Sequence, residues 1–276
     1  MIVVDLRVGS ARRAMDARTA AIWSAVWIAT AAVFGIGLAL SEGAEAGEAY
    51  FAGYLMEKAL SLDNVFVFTL IFAALAVPRE DQPRVLLWGI LIALVLRAIF
   101  IFAGAEALET YSWVAWPFAA LLAWTGWRIL RTSDEHDEGA ALVERVRRRF
   151  PALKPAALAL AAVALADVIF AVDSVPAILA ITTDTFIVFS ANAFALLGLR
   201  ALFFLVAGAV ARFEYLQLGL GVLLIGIAGK LAYGEATGEK VPTAVTLLAI
   251  VGVIGVAIGA SIVRDRRSAG FQGDRR

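Results

Sequence analysis

The chain has 276 residues, of which 62% are hydrophobic, and its mean hydropathy is +0.84. Soluble domains contain roughly 45 to 50% apolar residues, so this composition excludes an ordinary soluble fold. The formal net charge is zero, which offers no overall basic bias toward nucleic acid. The chain has no cysteine and a single histidine, His136, which leaves oxygen atoms as the only metal ligands present in quantity.

Eight apolar stretches are long enough to cross the ~30 Å hydrocarbon core of a bilayer as helices. They lie at 22–40, 50–77, 85–105, 113–130, 156–181, 186–210, 215–231 and 241–263. The sequence therefore predicts an all-α polytopic membrane helix bundle of about eight spans, with 22–263 as a single membrane domain. Residues 1–21 are predicted to be a cytoplasmic N-terminal segment, and 264–276 a disordered cytoplasmic tail.

The loop charges predict the orientation of the spans, because Lys and Arg concentrate in cytoplasmic loops. Arginines precede the first span and follow the second, fourth, sixth and eighth, whereas the loops 41–49, 106–112 and 182–185 contain no Lys or Arg. This pattern predicts a multi-pass protein of the cell's inner (plasma) membrane with both termini in the cytoplasm. The hydrophilic stretch 131–155 is then a cytoplasmic linker that can include a short helix at the bilayer surface.

The first span has a second interpretation, as a secretory signal peptide. Ala44-Glu45-Ala46 resembles the small-residue cleavage site of such a peptide. The apolar run before it is longer than the ~7 to 15 residues usual in signal peptides, which favours a retained span.

Two acidic segments within the spans resemble each other. In the first, Glu57 is followed six residues later by Asp63 and then Asn64; in the second, Asp167 is followed by Asp173 and then Ser174. The next span of each half carries a lone arginine, and each third span a glycine: Arg97 and Arg200, Gly126 and Gly226. Each copy of this repeat contains three spans. Because three is an odd number, the second copy enters the membrane in the opposite sense, as the loop charges also indicate. The sequence thus predicts a 3+3 inverted-topology repeat, about 50–130 and 156–231, with a substrate site between the halves.

The buried charges indicate what that site binds. A charged side chain at the centre of a spanning helix costs about 2.5 to 3.5 kcal/mol, so these acids must be paired, hydrated or bound to a ligand. One interpretation is a structural network in which Lys58, Arg97 and Arg200 neutralise the acids as supporting charges. The other is a cation site in which the arginines take the place of the cation during the half-cycle without cargo.

Helical geometry places Glu57 and Asn64 on one face, while Asp63 is turned about 120° away from Glu57, and the second segment repeats this arrangement. Ser61, Asp63 and Asn64 are residues that favour helix ends, and Pro176 removes a backbone donor. We therefore predict interrupted helices that aim carboxylates, an amide oxygen, a hydroxyl and bare carbonyls at one point. Such hard oxygen donors suit an octahedral divalent ion such as manganese, magnesium or calcium.

The segments Glu57-x-x-Leu60-Ser61-x-Asp63-Asn64 and Asp167-x-x-Phe170-x-x-Asp173-Ser174-x-Pro176-Ala177 resemble the paired signatures of the TerC family of integral membrane proteins. The resemblance covers about 50–231. The family is named for tellurium resistance, and its members are associated with manganese efflux and some with metal supply to exported enzymes. The resemblance implies Mn²⁺ as the substrate and marks six metal-path residues: Glu57, Asp63, Asn64, Asp167, Asp173 and Ser174.

The sequence and its resemblance to this family thus favour a transporter of Mn²⁺ or another hard divalent cation, with the lipid bilayer as its surroundings and no prosthetic group. Nucleic acid is not an expected partner, and a homo-oligomer is compatible with the sequence. One alternative is a non-transporting membrane protein that binds metal and supports metalation of exported proteins or a response to envelope or tellurite stress. An enzyme is not expected, because an intramembrane aspartyl hydrolase pairing Asp63 with Asp173 would have no use for Glu57, Asp167 and Asn64.

Overall fold

A computed structural model describes residues 16–131, 135–206 and 214–273, and within these ranges the chain is helical, without β-strands. The helices are α1 (Ala17–Ser41), α2 (Ala44–Ala74), α3 (Gln82–Thr110), a 3-10 turn (Ser112–Val114), α4 (Ala115–Arg131), α5 (Glu135–Arg149), α6 (Pro155–Leu179), α7 (Thr185–Leu197), α8 (Leu199–Val206), α9 (Glu214–Thr237) and α10 (Thr243–Gly273). Most of the predicted N-terminal segment, 1–15, and residues 274–276 lie outside the described ranges.

In the described part of the chain, six segments are long and apolar enough to cross a membrane: Ala17–Ser41, Gln82–Thr110, Pro155–Leu179, Thr185–Leu205, Tyr215–Thr237 and Thr243–Arg264. All-helical membrane architecture is expected of such a composition, because a helix satisfies every backbone polar group within its own segment. Thr185–Leu205 combines α7 and α8, which are separated by a turn at Gly198.

The second and fourth predicted spans are also helical, but they are not among those six. Helix α2 has 31 residues and carries the charges of Glu57 and Lys58 near its middle. Helix α4 has 17 residues, about 26 Å at 1.5 Å per residue, and ends in Arg128 and Arg131. The crossing of α2 therefore depends on how the bundle buries Glu57 and Lys58, whereas the arginines of α4 lie at its end.

The helices can be compared with what the sequence predicts for the linker 131–155 and for the tail 264–276. The linker does contain a helix, α5, whose apolar residues Leu142, Val143 and Val146 are buried in the core with the end of α2. The predicted disorder of the tail is wrong as far as Gly273, because α10 continues to that residue. A helix that is already formed in a span extends at little cost into a segment without proline.

Contacts between helices show which of them run in the same direction. Along α3 and α6 the numbers rise together: Gly89 meets Val163, and Gly104 meets Leu179. Along α2 and α7 they also rise together, since Gly53 meets Ala191 and Lys58 bonds Ala195. Both of these pairs are therefore parallel.

Two other pairs are antiparallel. Gly126 of α4 meets Ile225 of α9, while Leu130, one turn later, meets Gly221, one turn earlier. Helix α2 likewise runs against α6, because Gly53 approaches Ile178 while Glu57 lies farther along, near Ser174. The pairs α4–α9, α3–α6 and α2–α7 form the most extensive contacts among the described helices.

Helices α4 and α9 approach so closely that a glycine of each helix contacts the backbone of the other helix. A Cβ placed on Gly126 would lie 2.6 Å from the carbonyl oxygen of Gly221, which is closer than real Cβ atoms come. Gly226, the predicted counterpart of Gly126 in the repeat, has nothing within 4 Å of its position for a Cβ. The two glycines therefore differ in their surroundings, and this part of the sequence match has no structural equivalent.

We expect Gly126→Ala to lower stability by about 1 to 3 kcal/mol, because the added methyl must push two backbones apart. The control is Gly226→Ala, which is expected to be neutral or to stabilise by up to about 1 kcal/mol, because alanine is the better helix former. Thermal unfolding of the purified protein in detergent measures both. Equal effects of the two substitutions would show that the α4–α9 contact is looser than described.

Candidate functional site

The guanidinium of Arg97, on α3, joins the two acid-bearing helices α2 and α6. Its Nη1 donates hydrogen bonds to Oε1 of Glu57 and, over 3.2 Å, to Oγ of Ser174. Its Nη2 donates to Oδ1 of Asp167 over 3.0 Å, and its Nε lies 3.3 Å from the same oxygen. One arginine thus binds two carboxylates and a hydroxyl from the two halves of the chain.

This cluster is shielded from its surroundings. The exposed fraction is 0% for Glu57, 1% for Arg97 and 2% for Asp167. Two carboxylates face one guanidinium, so the ionised cluster carries one excess negative charge in a medium where charges interact strongly. The second oxygen of Glu57, Oε2, is buried and has no hydrogen-bond partner.

A stripe of unsatisfied polar atoms continues along α2. Ser61 and Asn64 follow Glu57 by four and seven residues, which places all three on one helical face. Both side chains are buried, and neither the hydroxyl of Ser61 nor either amide atom of Asn64 has a hydrogen-bond partner. Buried polar groups are nearly always bonded, so such a row indicates groups that bond water or an ion or that have a functional role.

Asp173 accepts a hydrogen bond from a side chain outside the Arg97 cluster. Its Oδ1 accepts a hydrogen bond of 2.8 Å from Oγ1 of Thr125, on α4. The predicted interruption that would have turned Asp173 toward Asp167 is wrong, because α6 is continuous from Pro155 to Leu179. Pro176 lies within the last turn of α6, where it leaves the carbonyl of Val172 without its helical donor but does not end the helix.

The predicted interruption of the first segment is also wrong, because α2 is continuous from Ala44 to Ala74 and includes Ser61 and Asn64. Asp63 lies on this helix, but its side chain is outside the described part of the structure. Tertiary burial therefore overrides the preference of these residues for helix ends.

The other two supporting cations lie on or against the α7–α8 segment. Lys58 donates a hydrogen bond of 3.1 Å from Nζ to the carbonyl oxygen of Ala195, beside the turn at Gly198. Arg200 is 2% exposed, on α8. Of the three cations, Arg97 is the one whose salt bridges to Glu57 and Asp167 the structure establishes.

Apolar layers lie on both sides of the cluster. One turn before Arg97, Ala93 belongs to a large apolar core that also includes Val65, Ala166 and the apolar residues of α5. One turn after Arg97, Ile101 belongs to a smaller core with Val175 and Val188. Beyond that smaller core a cleft of about 710 Å³ opens, lined by Phe102, Ala103, Ala105, Glu106, Glu109, Thr183, Asp184 and Thr185.

The described side chains include no group of three Asp, Glu, His or Cys close enough together to hold a metal ion. Glu57 and Asp167 with the hydroxyl of Ser174 are the oxygen donors that the structure brings together, and Asn64 lies farther along the same face of α2. The arrangement can neutralise a cation with two carboxylates and add neutral oxygen ligands.

Three further buried polar residues are not among the site residues that the sequence predicts. Ser61 is identifiable in retrospect from its position one turn after Glu57. Asn192, on α7, is 1% exposed and its Nδ2 has no hydrogen-bond partner. Thr125 gives no signal in the sequence, because only the packing of α4 against α6 brings it to Asp173.

Comparison with known proteins gives the family of the chain. A family model described as "Integral membrane protein TerC family" matches residues 42–269. "Uncharacterized membrane protein STKORF319" of Myxococcus xanthus is 42% identical over 266 residues, covering 89% of this chain and 83% of the relative. "Putative membrane-bound redox modulator Alx" of Escherichia coli (strain K12) is 37% identical, covering 92% of this chain and 88% of the relative.

A fourth comparison is with "Tellurium resistance protein TerC" of Serratia marcescens, which is 32% identical over 311 residues, covering 95% of this chain and 90% of the relative. No solved structure matches the chain. The family match spans the acidic motifs, the Arg97 cluster and most of the predicted spans. The chain therefore belongs to the TerC family of integral membrane proteins.

Proposed function

We propose that this protein is an inner-membrane transporter that exports Mn²⁺, using the carboxylates of Glu57 and Asp167 as its central binding groups. The observation that carries the proposal is their meeting in the buried interior, one from each predicted half of the chain. Placing two acids together out of water is expensive, and apolar residues would hold the helices at lower cost. A role in binding a cation accounts for the free-energy cost of burying these two acids.

The helix directions support an inverted repeat as the frame of this transporter. In the proposed repeat, α2, α3 and α4 correspond to α6, the α7–α8 segment and α9. Exchanging each helix for its counterpart turns the parallel α2–α7 contact into the parallel α6–α3 contact. The same exchange leaves the antiparallel pairs α2–α6 and α4–α9 unchanged. The same exchange predicts eight spans, with α2 and α4 crossing the membrane inside the bundle.

The donor set supports a hard divalent cation as cargo. Carboxylate, amide and hydroxyl oxygens suit Mn²⁺, Mg²⁺ or Ca²⁺, and the chain lacks the cysteines that softer metals prefer. We assign Glu57, Asp167 and Ser174 to the binding point and Asn64, Asp63 and Asp173 to the path that leads to or from it. The choice of manganese follows from the resemblance to the family.

The alternative is a membrane protein that binds metal without moving it and supports metalation or stress responses. The names of two relatives are consistent with this alternative, since one is called a putative redox modulator and another a tellurium resistance protein. Both functions need a metal site, so they differ only in whether the ion crosses the membrane.

Total manganese in metal-challenged cells tests the proposal. Cells that express the wild-type protein are expected to hold several-fold less manganese than cells expressing Asp167→Asn, Asp63→Asn or Asp173→Asn at matched levels. Glu144→Gln is the control, since it removes an exposed acid on α5 whose pKa the hydrogen bond from Arg148 lowers. If Asp167→Asn lowers cell manganese as well as the wild type does, the proposed site is wrong.

Purified protein in liposomes separates transport from binding alone. The transporter is expected to carry Mn²⁺ across the membrane to a manganese-quenched dye on the other side, and Asp167→Asn is expected to abolish that flux. Mn²⁺-dependent thermal stabilisation without any flux would instead favour the non-transporting alternative.

A further inference from the structure

We infer that Arg97 is an internal competitor of the transported cation, so that the ion binds only as the guanidinium leaves Glu57 and Asp167. The inference rests on the proposed function and deepens it, because it specifies how the site changes charge during a transport cycle. This role in competing with the cation is assigned to Arg97 and not to Lys58 or Arg200.

The geometry places the guanidinium at the point of convergence. Nη1 bonds Glu57 and Ser174, and Nη2 bonds Asp167, so Arg97 contacts each of the donors that the structure brings together. A cation bridging the same two carboxylates would need the same space. Binding of the ion and the present position of Arg97 therefore exclude each other.

Charge leads to the same conclusion. With Arg97 between them, the two ionised carboxylates keep one excess negative charge, whereas a divalent cation in its place balances them fully. Arg97 and the divalent cation together would leave one excess positive charge, which is costly in a buried site. With both carboxylates ionised, the cluster is balanced only when the divalent ion has replaced the arginine.

An unsatisfied atom shows that the arginine satisfies the site incompletely. Oε2 of Glu57 is buried without a partner, although Arg97 bonds the other oxygen of the same carboxylate. A guanidinium is planar and donates only in its plane, while an octahedral cation accepts oxygens from all directions. The oxygen that Arg97 leaves unused is a ligand that such an ion takes.

A competitor has a consequence that a purely structural arginine lacks. Removing it should destabilise the metal-free protein but tighten cation binding, because the ion no longer has to displace a positive charge. An arginine that only shapes the site would have the opposite effect, since its loss would loosen the donors and weaken binding. The sign of the affinity change therefore distinguishes the two roles.

The test measures the affinity of purified wild type and Arg97→Gln for Mn²⁺ alone, by calorimetry and by the rise in Tm with Mn²⁺ concentration. We expect the glutamine variant to bind Mn²⁺ at least tenfold more tightly and to transport it more slowly, because release becomes harder. Unchanged or weaker binding would overturn the inference.

Arg97→Lys keeps the test informative if the glutamine variant does not fold. Lysine retains the charge but loses the fork that reaches both acids, so its Mn²⁺ affinity is expected to fall between those of the wild type and the glutamine variant. A lysine variant that binds less tightly than the wild type would count against competition. If the wild type itself shows no Mn²⁺ binding, the proposed function fails; if it binds and neither variant binds more tightly, only the role of Arg97 is refuted.

Discussion

Arg97→Leu is expected to lower the free energy of unfolding by about 3 to 5 kcal/mol, among the largest effects of any single substitution in the chain. The leucine removes the counter-charge of Glu57 and Asp167 and leaves both acids buried without an ionic partner. Unfolding of the detergent-solubilised protein by heat or denaturant measures the change. The control is Arg148→Leu, which breaks an exposed pair with Glu144 and is expected to change stability by less than about 1 kcal/mol.

The triple variant Glu57→Leu, Arg97→Met, Asp167→Val completes this prediction. Replacing a whole buried ion cluster with apolar residues of similar size is often neutral or stabilising by about 1 to 4 kcal/mol. We therefore expect the triple variant to regain wild-type stability while losing all effect on cell manganese. A triple variant as unstable as Arg97→Leu would mean that the ion cluster holds α2, α3 and α6 together in a way that apolar contacts do not replace.

This contrast separates stability from function at the same three positions. If the cluster existed to hold the bundle, the triple variant would have no reason to lose activity once it folds. A stable protein without manganese efflux would instead identify the charges as functional groups that the fold tolerates at a cost. Functional sites commonly contain residues, such as these buried charges, that make the fold less stable than apolar residues would.

The helices were predictable from the sequence because a lipid environment leaves the backbone few choices. Apolar stretches of sufficient length must form helices in a bilayer, and the described helices include all eight predicted ranges at least in part. The continuity of α2 and α6 was not predictable from local preferences. Ser61 and Asn64 favour helix ends in water, where the backbone has alternative partners, but the interior of α2 offers none.

The acids of the site were predictable, but their partners were not. The expense of burying charge singles out Glu57 and Asp167 in any apolar stretch, whereas the sequence offers three cations that could neutralise them. The choice of Arg97 depends on α3 packing parallel to α6, with Ala93 and Ile101 in apolar layers on either side. The separate pairing of Asp173 with Thr125 depends in the same way on the position of α4.

The transport proposal requires that the two acidic helices cross the membrane in opposite senses, and surface labelling gives an all-or-none test of this topology. Because the chain has no cysteine, single cysteines can be introduced without background. We expect Glu109→Cys and Thr183→Cys, exposed at the cleft beyond Ile101, to react with a membrane-impermeant maleimide in intact spheroplasts.

Glu80→Cys and Arg148→Cys are the matched controls, since both residues are exposed in the structure but are predicted to face the cytoplasm. Glu80 follows α2 and Thr183 follows α6, so opposite labelling of the two means that these helices end on opposite sides of the membrane. Reaction of the Glu80 and Arg148 positions only after permeabilisation would agree with the inverted repeat. Labelling of Glu80 and Thr183 from the same side would rule it out, because the carboxylates of Glu57 and Asp167 would then belong to helices that cross in the same sense.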